Sequence, residues 1–164
     1  MASYPDYKNT HFLYPGAIFA HTRPYQVTTV LGSCVAVCLY DPILQIGGIN
    51  HYMLPLWNGQ GLASPKYGDI AIEKLIEKMV STGARKSRMK AKVFGGAEVL
   101  QDHTSHFNIG KKNVNLAYQY LEQNNIPIVA KSIGGNMGRK IFFCTDTGSV
   151  RQKMIHSSRI EKPA

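Results

Sequence analysis

The sequence is poor in cysteine and lacks the common cofactor-binding motifs. Its three cysteines, Cys34, Cys38 and Cys144, are too few and oddly numbered for a disulfide framework, and no C-x-x-C pair indicates zinc. The double glycines at 95–96 and 134–135 belong to neither a G-x-x-x-x-G-K-S/T nor a G-x-G-x-x-G motif. We therefore expect reduced thiols, no cofactor and no metal.

Long apolar runs and acidic residues are also scarce. No apolar stretch approaches the roughly 18 residues of a membrane span, and the N-terminus lacks the pattern of a secretory signal, so we expect a cytoplasmic protein without membrane insertion. Ten acidic residues stand against 19 Lys and Arg, a formal net charge of +9 that predicts an acidic partner. Nucleic acid, an anionic membrane surface and an acidic protein all qualify, but no nucleic-acid-binding motif supports the first.

Length and periodicity predict one α/β domain. The 164 residues, 44% of them hydrophobic, suffice for a single core, and we expect residues 1–164 to form one monomeric domain with residues 1–15 as an arm. Apolar spacing predicts two helices, with Asp69 and Asn108 as N-caps and Gly83 ending the first. The predicted helices span 67–83 and 108–124, and the predicted strands span 25–31, 35–40, 46–53, 90–94, 126–133, 139–145 and 149–155.

Cys34 and His51 lie symmetrically about a predicted hairpin turn. Asp41-Pro42 is a turn signal between two apolar, β-rich runs. Both residues are equally far along the chain from the Pro42–Ile43 bond, so an antiparallel pairing centred there places them directly opposite, with Cβ atoms about 4.5 to 5.5 Å apart. A thiol facing an imidazole is the arrangement of a cysteine nucleophile and its base.

The residues beside this pair suit a catalytic site. Gly32 and Ser33 lead into Cys34 and can leave main-chain N–H groups there as donors to an oxyanion, while Asn50 adds polarity beside His51. Thr28 and Thr29 on the preceding strand are the nearest hydroxyl groups able to orient the imidazole.

Other interpretations compete with catalysis. A cysteine in an apolar strand is more often an inert core residue, which is our interpretation of Cys38 and Cys144; for Cys34 the two interpretations are evenly balanced. Arg139 is either a substrate clamp or a surface charge, with the surface charge slightly favoured. His103 and His106 fit a solvated loop better than a metal site.

Several long segments resemble the chemoreceptor glutamine deamidase family, CheD. They are LGSCVAV at 31–37, GGINHYMLP at 47–55, YGDIAI at 67–72, FGGA at 94–97, NIGKKN at 108–113 and IGGNMGR at 133–139. The resemblance implies a layered α/β/β/α sandwich with mixed sheets, similar to deamidating toxin catalytic domains. The segment 98–107 is longer and richer in histidine than the resemblance leads us to expect, so no role is carried over to it.

The resemblance also implies a catalytic triad and a substrate. Its nucleophile corresponds to Cys34, its base to His51, and its threonine to Thr28, six positions before the cysteine. The implied reaction hydrolyses glutamine side-chain amides on the cytoplasmic helices of methyl-accepting chemoreceptors to glutamate, through a cysteine thioester, during chemotaxis adaptation. Gly32, Ser33, Asn50 and Arg139 are the candidates for substrate or oxyanion binding. The alternative is a binding regulator of a CheC-type response-regulator phosphatase, with catalysis secondary.

Overall fold

The computed structural model describes residues 7–98 and 108–156. Within these ranges lie nine strands, two α-helices and a 3₁₀ turn at Lys86–Arg88. The elements are β1 (Thr10–Phe12), β2 (Ile18–Ala20), β3 (Gln26–Leu31), β4 (Val35–Asp41), β5 (Ile46–Asn50), α1 (Gly68–Ser81), β6 (Lys90–Gly95), α2 (Ile109–Gln123), β7 (Ile128–Ile133), β8 (Gly138–Cys144) and β9 (Val150–Ile155).

The strands form two mixed sheets. The four-stranded sheet has the order β1-β3-β8-β9, and the five-stranded sheet has the order β2-β5-β4-β6-β7. Each contains one parallel pair, β1 with β3 and β6 with β7, while the other neighbours are antiparallel. Strand β1 comes from the predicted arm, so part of that arm is an edge strand of the four-stranded sheet.

Alternation along β4 explains why the molecule has two cores. Val35, Val37 and Leu39 face the helices and belong to one buried cluster, whereas Ala36 and Cys38 face the four-stranded sheet and belong to another. Strand β4 is therefore buried on both faces, which accounts for its continuous apolar run.

The layering differs from the four-layer expectation. Both α-helices pack on strands of the five-stranded sheet, α1 on β2 and β5 and α2 on β4 and β6. The described residues thus form three layers, α/β/β, and the predicted α/β/β/α order is corrected, because no described helix lies on the outer face of the four-stranded sheet. Neither α-helix in the described ranges has the length and apolarity needed to cross a membrane.

The helices occur where periodicity predicts them, but neither predicted N-cap side chain makes a capping hydrogen bond. Gly83, with φ +103°, follows α1 and ends it as expected. Asp69 lies inside the first turn, and its carboxylate accepts a hydrogen bond from the Trp57 N–H at 3.1 Å. Asn108 precedes α2 in the left-handed conformation, and its side chain makes no capping bond. The N-terminus of α1 is held instead by main-chain bonds from the N–H groups of Gly68 and Asp69 to the preceding loop. At the N-terminus of α2 the carboxylate of Glu98 accepts a hydrogen bond from the Lys111 N–H at 3.2 Å.

Candidate active site

The β4–β5 hairpin has a register two residues from the predicted one. Cys38 pairs with Ile49, and an isolated bridge joins Val35 to Tyr52, so continuation of the register sets Cys34 against Met53. The predicted direct pairing of Cys34 with His51 is therefore wrong. A register shift of two positions leaves each side chain on the same face of the sheet. Cys34 and His51 are therefore diagonal neighbours on the face between the two sheets.

Asp41 explains the shift. Its carboxylate accepts hydrogen bonds from the N–H groups of Ile43 (3.0 Å) and Leu44 (3.3 Å), which closes the turn after the strand rather than within it. Burial raises the pKa of this carboxyl, but the ion pair with Arg88 at 2.8 Å and the N–H of Arg85 outweigh burial and hold the pKa below its usual range. Because the Asp41 carboxylate closes the turn after the strand, the hairpin is centred one bond further along the chain than predicted.

His51 is oriented by the hydroxyl of Thr29. Thr29 Oγ1 lies 2.7 Å from His51 Nδ1 and 2.7 Å from the carbonyl oxygen of Leu13. Because a carbonyl can only accept, the single hydroxyl proton of Thr29 goes to Leu13, and the hydroxyl oxygen must accept from His51. The imidazole therefore carries its proton on Nδ1, and its lone pair is on Nε2.

The imidazole is held neutral by its surroundings. His51 is 1% exposed, and burial lowers its pKa to about 4. Its Nε2 makes no hydrogen bond with any described residue. At neutral pH, His51 thus presents an unprotonated nitrogen with an unused lone pair, as a general base must.

The prediction that Thr28 orients the imidazole is corrected. Residues of β3 alternate in direction, with Val27, Thr29 and Leu31 fully buried towards the other sheet and Thr28 on the opposite face. Thr28 therefore cannot share the inner face with His51. Thr29, the other hydroxyl considered from the sequence, makes the contact.

Cys34 precedes β4 and is half-buried, unlike Cys38 and Cys144, which are buried. Burial raises the pKa of the Cys34 thiol, while its own main-chain N–H lowers it. Because Nε2 of His51 has no partner among the described residues, no hydrogen bond joins the Cys34 thiol to the imidazole. The resting pair is therefore a neutral thiol and a neutral imidazole rather than an ion pair.

The loop before β4 leaves its N–H groups available. The carbonyl groups of residues 32–34 accept hydrogen bonds from the N–H of Ala97 (3.0 Å), the side chain of Asn113 (3.0 Å) and the N–H of Gly96 (2.9 Å), respectively. The N–H groups of the same three residues donate to no other described residue. They can therefore donate to an acceptor that lies beside Cys34.

A glycine makes this arrangement possible. Gly95 ends β6 with φ +107°, and a Cβ there would overlap the carbonyl oxygen of Cys34. The close approach of the two chains beside the thiol therefore requires glycine at this position.

Asn113 is a site residue that sequence reasoning missed. Its fully buried side chain donates from Nδ2 to the carbonyls of Ser33 (3.0 Å) and Met53 (3.1 Å), and its own carbonyl accepts from the Tyr52 hydroxyl at 2.5 Å. It thereby joins the two chains just beyond the last bridge of the hairpin. The available signal was its place in the NIGKKN segment at 108–113.

Asn50 and Arg139 make hydrogen bonds within the fold, but Asn50 Nδ2 and Arg139 Nε are buried without a partner among the described residues. Asn50 is fully buried, and its Oδ1 accepts from the Val37 N–H at 2.8 Å, so this oxygen is bound within the hairpin. Arg139 is 2% exposed, which contradicts the surface-charge interpretation, and burial lowers its pKa. Its guanidinium donates to Ser132 Oγ at 2.8 Å and to the Gly134 carbonyl, linking β8 to the end of β7.

The remaining histidines and cysteines form no second site in the described part of the chain. His103 and His106 lie outside the described residues. His11 stacks on Phe19 with ring centroids 4.4 Å apart. Within residues 7–98 and 108–156 no group of three or more His, Cys, Asp or Glu could hold a metal ion. Burial raises the pKa of Cys38 well above the usual thiol value.

Comparison with known proteins relates the chain to chemotaxis. A family model described as CheD chemotactic sensory transduction matches residues 53–154. The probable chemoreceptor glutamine deamidase CheD of Trichlorobacter lovleyi is 52% identical over 140 residues, which cover 85% of this chain and 87% of that protein. The protein of the same description from Sulfurimonas denitrificans is 46% identical over 153 residues, covering 90% of this chain and 95% of that protein.

The second of these matches includes the candidate site. This match covers 90% of the chain, and the remaining tenth is shorter than the segment that precedes Cys34. The matched residues therefore include both Cys34 and His51. Among solved structures, the hypothetical protein YfiH of Bacillus licheniformis is similar at 15% identity with a TM-score of 0.43, covering 66% of this chain and 49% of that one.

Proposed function

Since the chain belongs to the CheD chemotactic sensory transduction family, we propose that it is a chemoreceptor glutamine deamidase whose nucleophile is Cys34. The substrate is a glutamine side chain on a chemoreceptor, and the products are glutamate and ammonia. The observation that carries this proposal is the Leu13–Thr29–His51 chain of hydrogen bonds, which leaves a neutral Nε2 on the same sheet face as the thiol.

Acylation begins with a proton transfer. His51 Nε2 takes the thiol proton of Cys34 as Sγ attacks the carboxamide carbon, and the carbonyl oxygen becomes an oxyanion. The free N–H groups of residues 32–34 donate to that oxyanion. Collapse of the intermediate breaks the C–N bond, and the imidazolium returns its proton to the nitrogen, releasing ammonia and leaving a thioester on Cys34.

Deacylation uses the same groups. Water attacks the thioester while His51 Nε2 accepts its proton, and the second oxyanion forms in the same position. Breaking the C–S bond releases glutamate, and the imidazolium reprotonates the Cys34 sulfur. The neutral resting pair means that the thiolate forms only as substrate is attacked, since burial opposes both a thiolate and an imidazolium.

Ammonia release from a receptor cytoplasmic fragment tests this function. The wild-type protein and Cys38→Ala release ammonia in step with the loss of glutamine, whereas Cys34→Ala releases none. Cys38→Ala is the matched control because it removes a buried thiol from the adjoining strand β4, in the same cluster between the sheets. Equal release by Cys34→Ala would refute the role of Cys34. A wild-type protein that releases no ammonia but binds and stimulates a CheC-type phosphatase would favour the regulatory alternative.

A further inference from the structure

The chain between β1 and β2 holds the main chain of His51. The N–H of Gly16 donates to the His51 carbonyl at 2.7 Å, and the His51 N–H donates to the Ala17 carbonyl at 3.3 Å. Val35 and Tyr52 exchange both of their hydrogen bonds across the hairpin, so the residue before Tyr52 points its main-chain groups away from β4. Segment 13–17 is thus the partner that receives them.

The same segment also reaches the imidazole. The carbonyl of Leu13 accepts the Thr29 hydroxyl at 2.7 Å, and the Leu13 N–H donates to the Thr28 carbonyl at 2.8 Å. The Leu13 side chain is fully buried in the cluster between the sheets. One end of the segment therefore fixes the proton of Thr29, and hence the tautomer of His51, while the other end fixes the His51 backbone.

A tight turn connects these two ends. The N–H of Ala17 donates to the Tyr14 carbonyl at 3.1 Å, with Pro15 and Gly16 between them. Gly16 has φ +82°, and proline followed by a residue of positive φ is the pattern of a type II turn. The turn aims the Gly16 N–H at the His51 carbonyl, so its geometry sets the position of the main chain from which the imidazole projects.

We propose that segment 13–17 is a positioning element of the active site, which holds His51 in place and in the tautomer with its lone pair on Nε2. The proposal rests on the proposed function for its kinetic consequence, although the tautomer itself is independent of the substrate. A purely structural role would lower stability without changing the state of the imidazole.

Gly16→Ala tests the proposal, with Gly83→Ala as its control. Both glycines have positive φ, and at each an added Cβ would have an ordinary nearest contact of 3.6 Å, so both variants carry similar backbone strain. Gly83 follows α1 and lies against Leu44 in the β4–β5 turn, at the other end of β4 from Cys34. Only Gly16→Ala displaces the groups that hold His51.

The measurements are nitrogen-15 NMR of the histidine ring, the unfolding midpoint, and the kinetics on a receptor fragment. We expect both variants to unfold more easily. Gly16→Ala alone mixes the two His51 tautomers and lowers kcat by about 10-fold with little change in KM, since misplacing a catalytic group costs rate rather than binding. Unchanged tautomer and kcat in Gly16→Ala overturn the proposal.

A second variant, Pro15→Ala, tests the proposal if Gly16→Ala does not fold. Pro15→Ala relaxes the same turn without forcing a side chain into positive φ, and it is expected to show the same shift of tautomer to a smaller degree. An unaltered His51 spectrum in Pro15→Ala, with Gly16→Ala unfolded, overturns the proposal. A wild-type protein without deamidase activity would refute the proposed function, while the ring spectrum would still decide whether the segment sets the tautomer.

Discussion

Thr29 Oγ1 lies 2.7 Å from His51 Nδ1, and the same hydroxyl donates to the Leu13 carbonyl. The contact gives the histidine an uncharged orienting partner in place of a carboxylate. A neutral partner suits a buried base, because a paired carboxylate would favour the imidazolium, whereas this site keeps the pKa of His51 at about 4.

Thr29→Val is expected to reduce kcat by about 10²-fold or more, the size of effect associated with a general base. The variant leaves Nδ1–H and the Leu13 carbonyl without their partner and lets the imidazole adopt the wrong tautomer. Thr28→Val is the matched control on the opposite strand face, and it should retain nearly wild-type kcat. Steady-state kinetics on a receptor fragment distinguish the two, and a larger loss in Thr28→Val would contradict the assignment.

Stability should fall on acidification because His51 is buried in its neutral form. Its folded-state pKa of about 4 lies below the unfolded value of 6.5, so the unfolded chain binds more protons between these pH values and stability rises with pH there. Lowering the pH through this window should cost up to about 3 kcal/mol in the free energy of unfolding. Urea titrations from pH 7 to pH 4 measure the loss.

A variant without a titrating group at this position provides the control for that loss. His51→Gln has no proton to gain, so its unfolding free energy should depend less on pH across the same window. The same dependence in both proteins would show that other groups cause the acid destabilisation.

Alkylation of Cys34 should be slow at neutral pH. Burial raises the pKa of its thiol and no ion pair with His51 is present, so little thiolate is available without substrate. The iodoacetamide rate should continue to rise above pH 9, and Cys38 and Cys144 should react more slowly still because they are buried. A rate that reaches a plateau near neutral pH would indicate a preformed thiolate.

Asn113→Asp should impair catalysis more than Asn113→Ala. The carboxylate has the same shape but faces the carbonyls of Ser33 and Met53 with no hydrogen to donate, and repulsion should spread the two chains beside Cys34. Each change should cost about 1 to 3 kcal/mol of stability. Asn115→Ala, at an exposed position on the same helix, is the control, and thermal unfolding with kcat measures the contrast.

The family, both helices and the positions of seven strands could be predicted from the sequence, whereas strands β1 and β2, the hairpin register and the strand face of the threonine could not. The family expected from the segments at 31–37 and 47–55 is confirmed. The side chain of Asp41 shifted the hairpin by two residues, because it closes the turn beyond the strand. Spacing in the family pattern selected Thr28, but the alternation of β3 turns Thr29 towards the histidine.

The parts that escaped prediction depend on contacts between distant segments. Asn113 lies far along the chain from Ser33, and neither residue carries a local pattern that reports their hydrogen bond. Arg139 is charged and so suggests a surface position, yet its bonds to Ser132 and Gly134 keep it buried between the sheets. Such contacts follow from the assembled sheets, not from the composition of either segment.

The most direct test of the account is the mass of a receptor fragment after incubation with the protein in water labelled with oxygen-18. Hydrolysis through a Cys34 thioester replaces the amide NH₂ by a hydroxyl from water, so each converted glutamine should gain about 3 Da with the wild-type protein and nothing with Cys34→Ala. A fragment that keeps its mass with the wild-type protein, or gains the label equally with Cys34→Ala, would contradict the account.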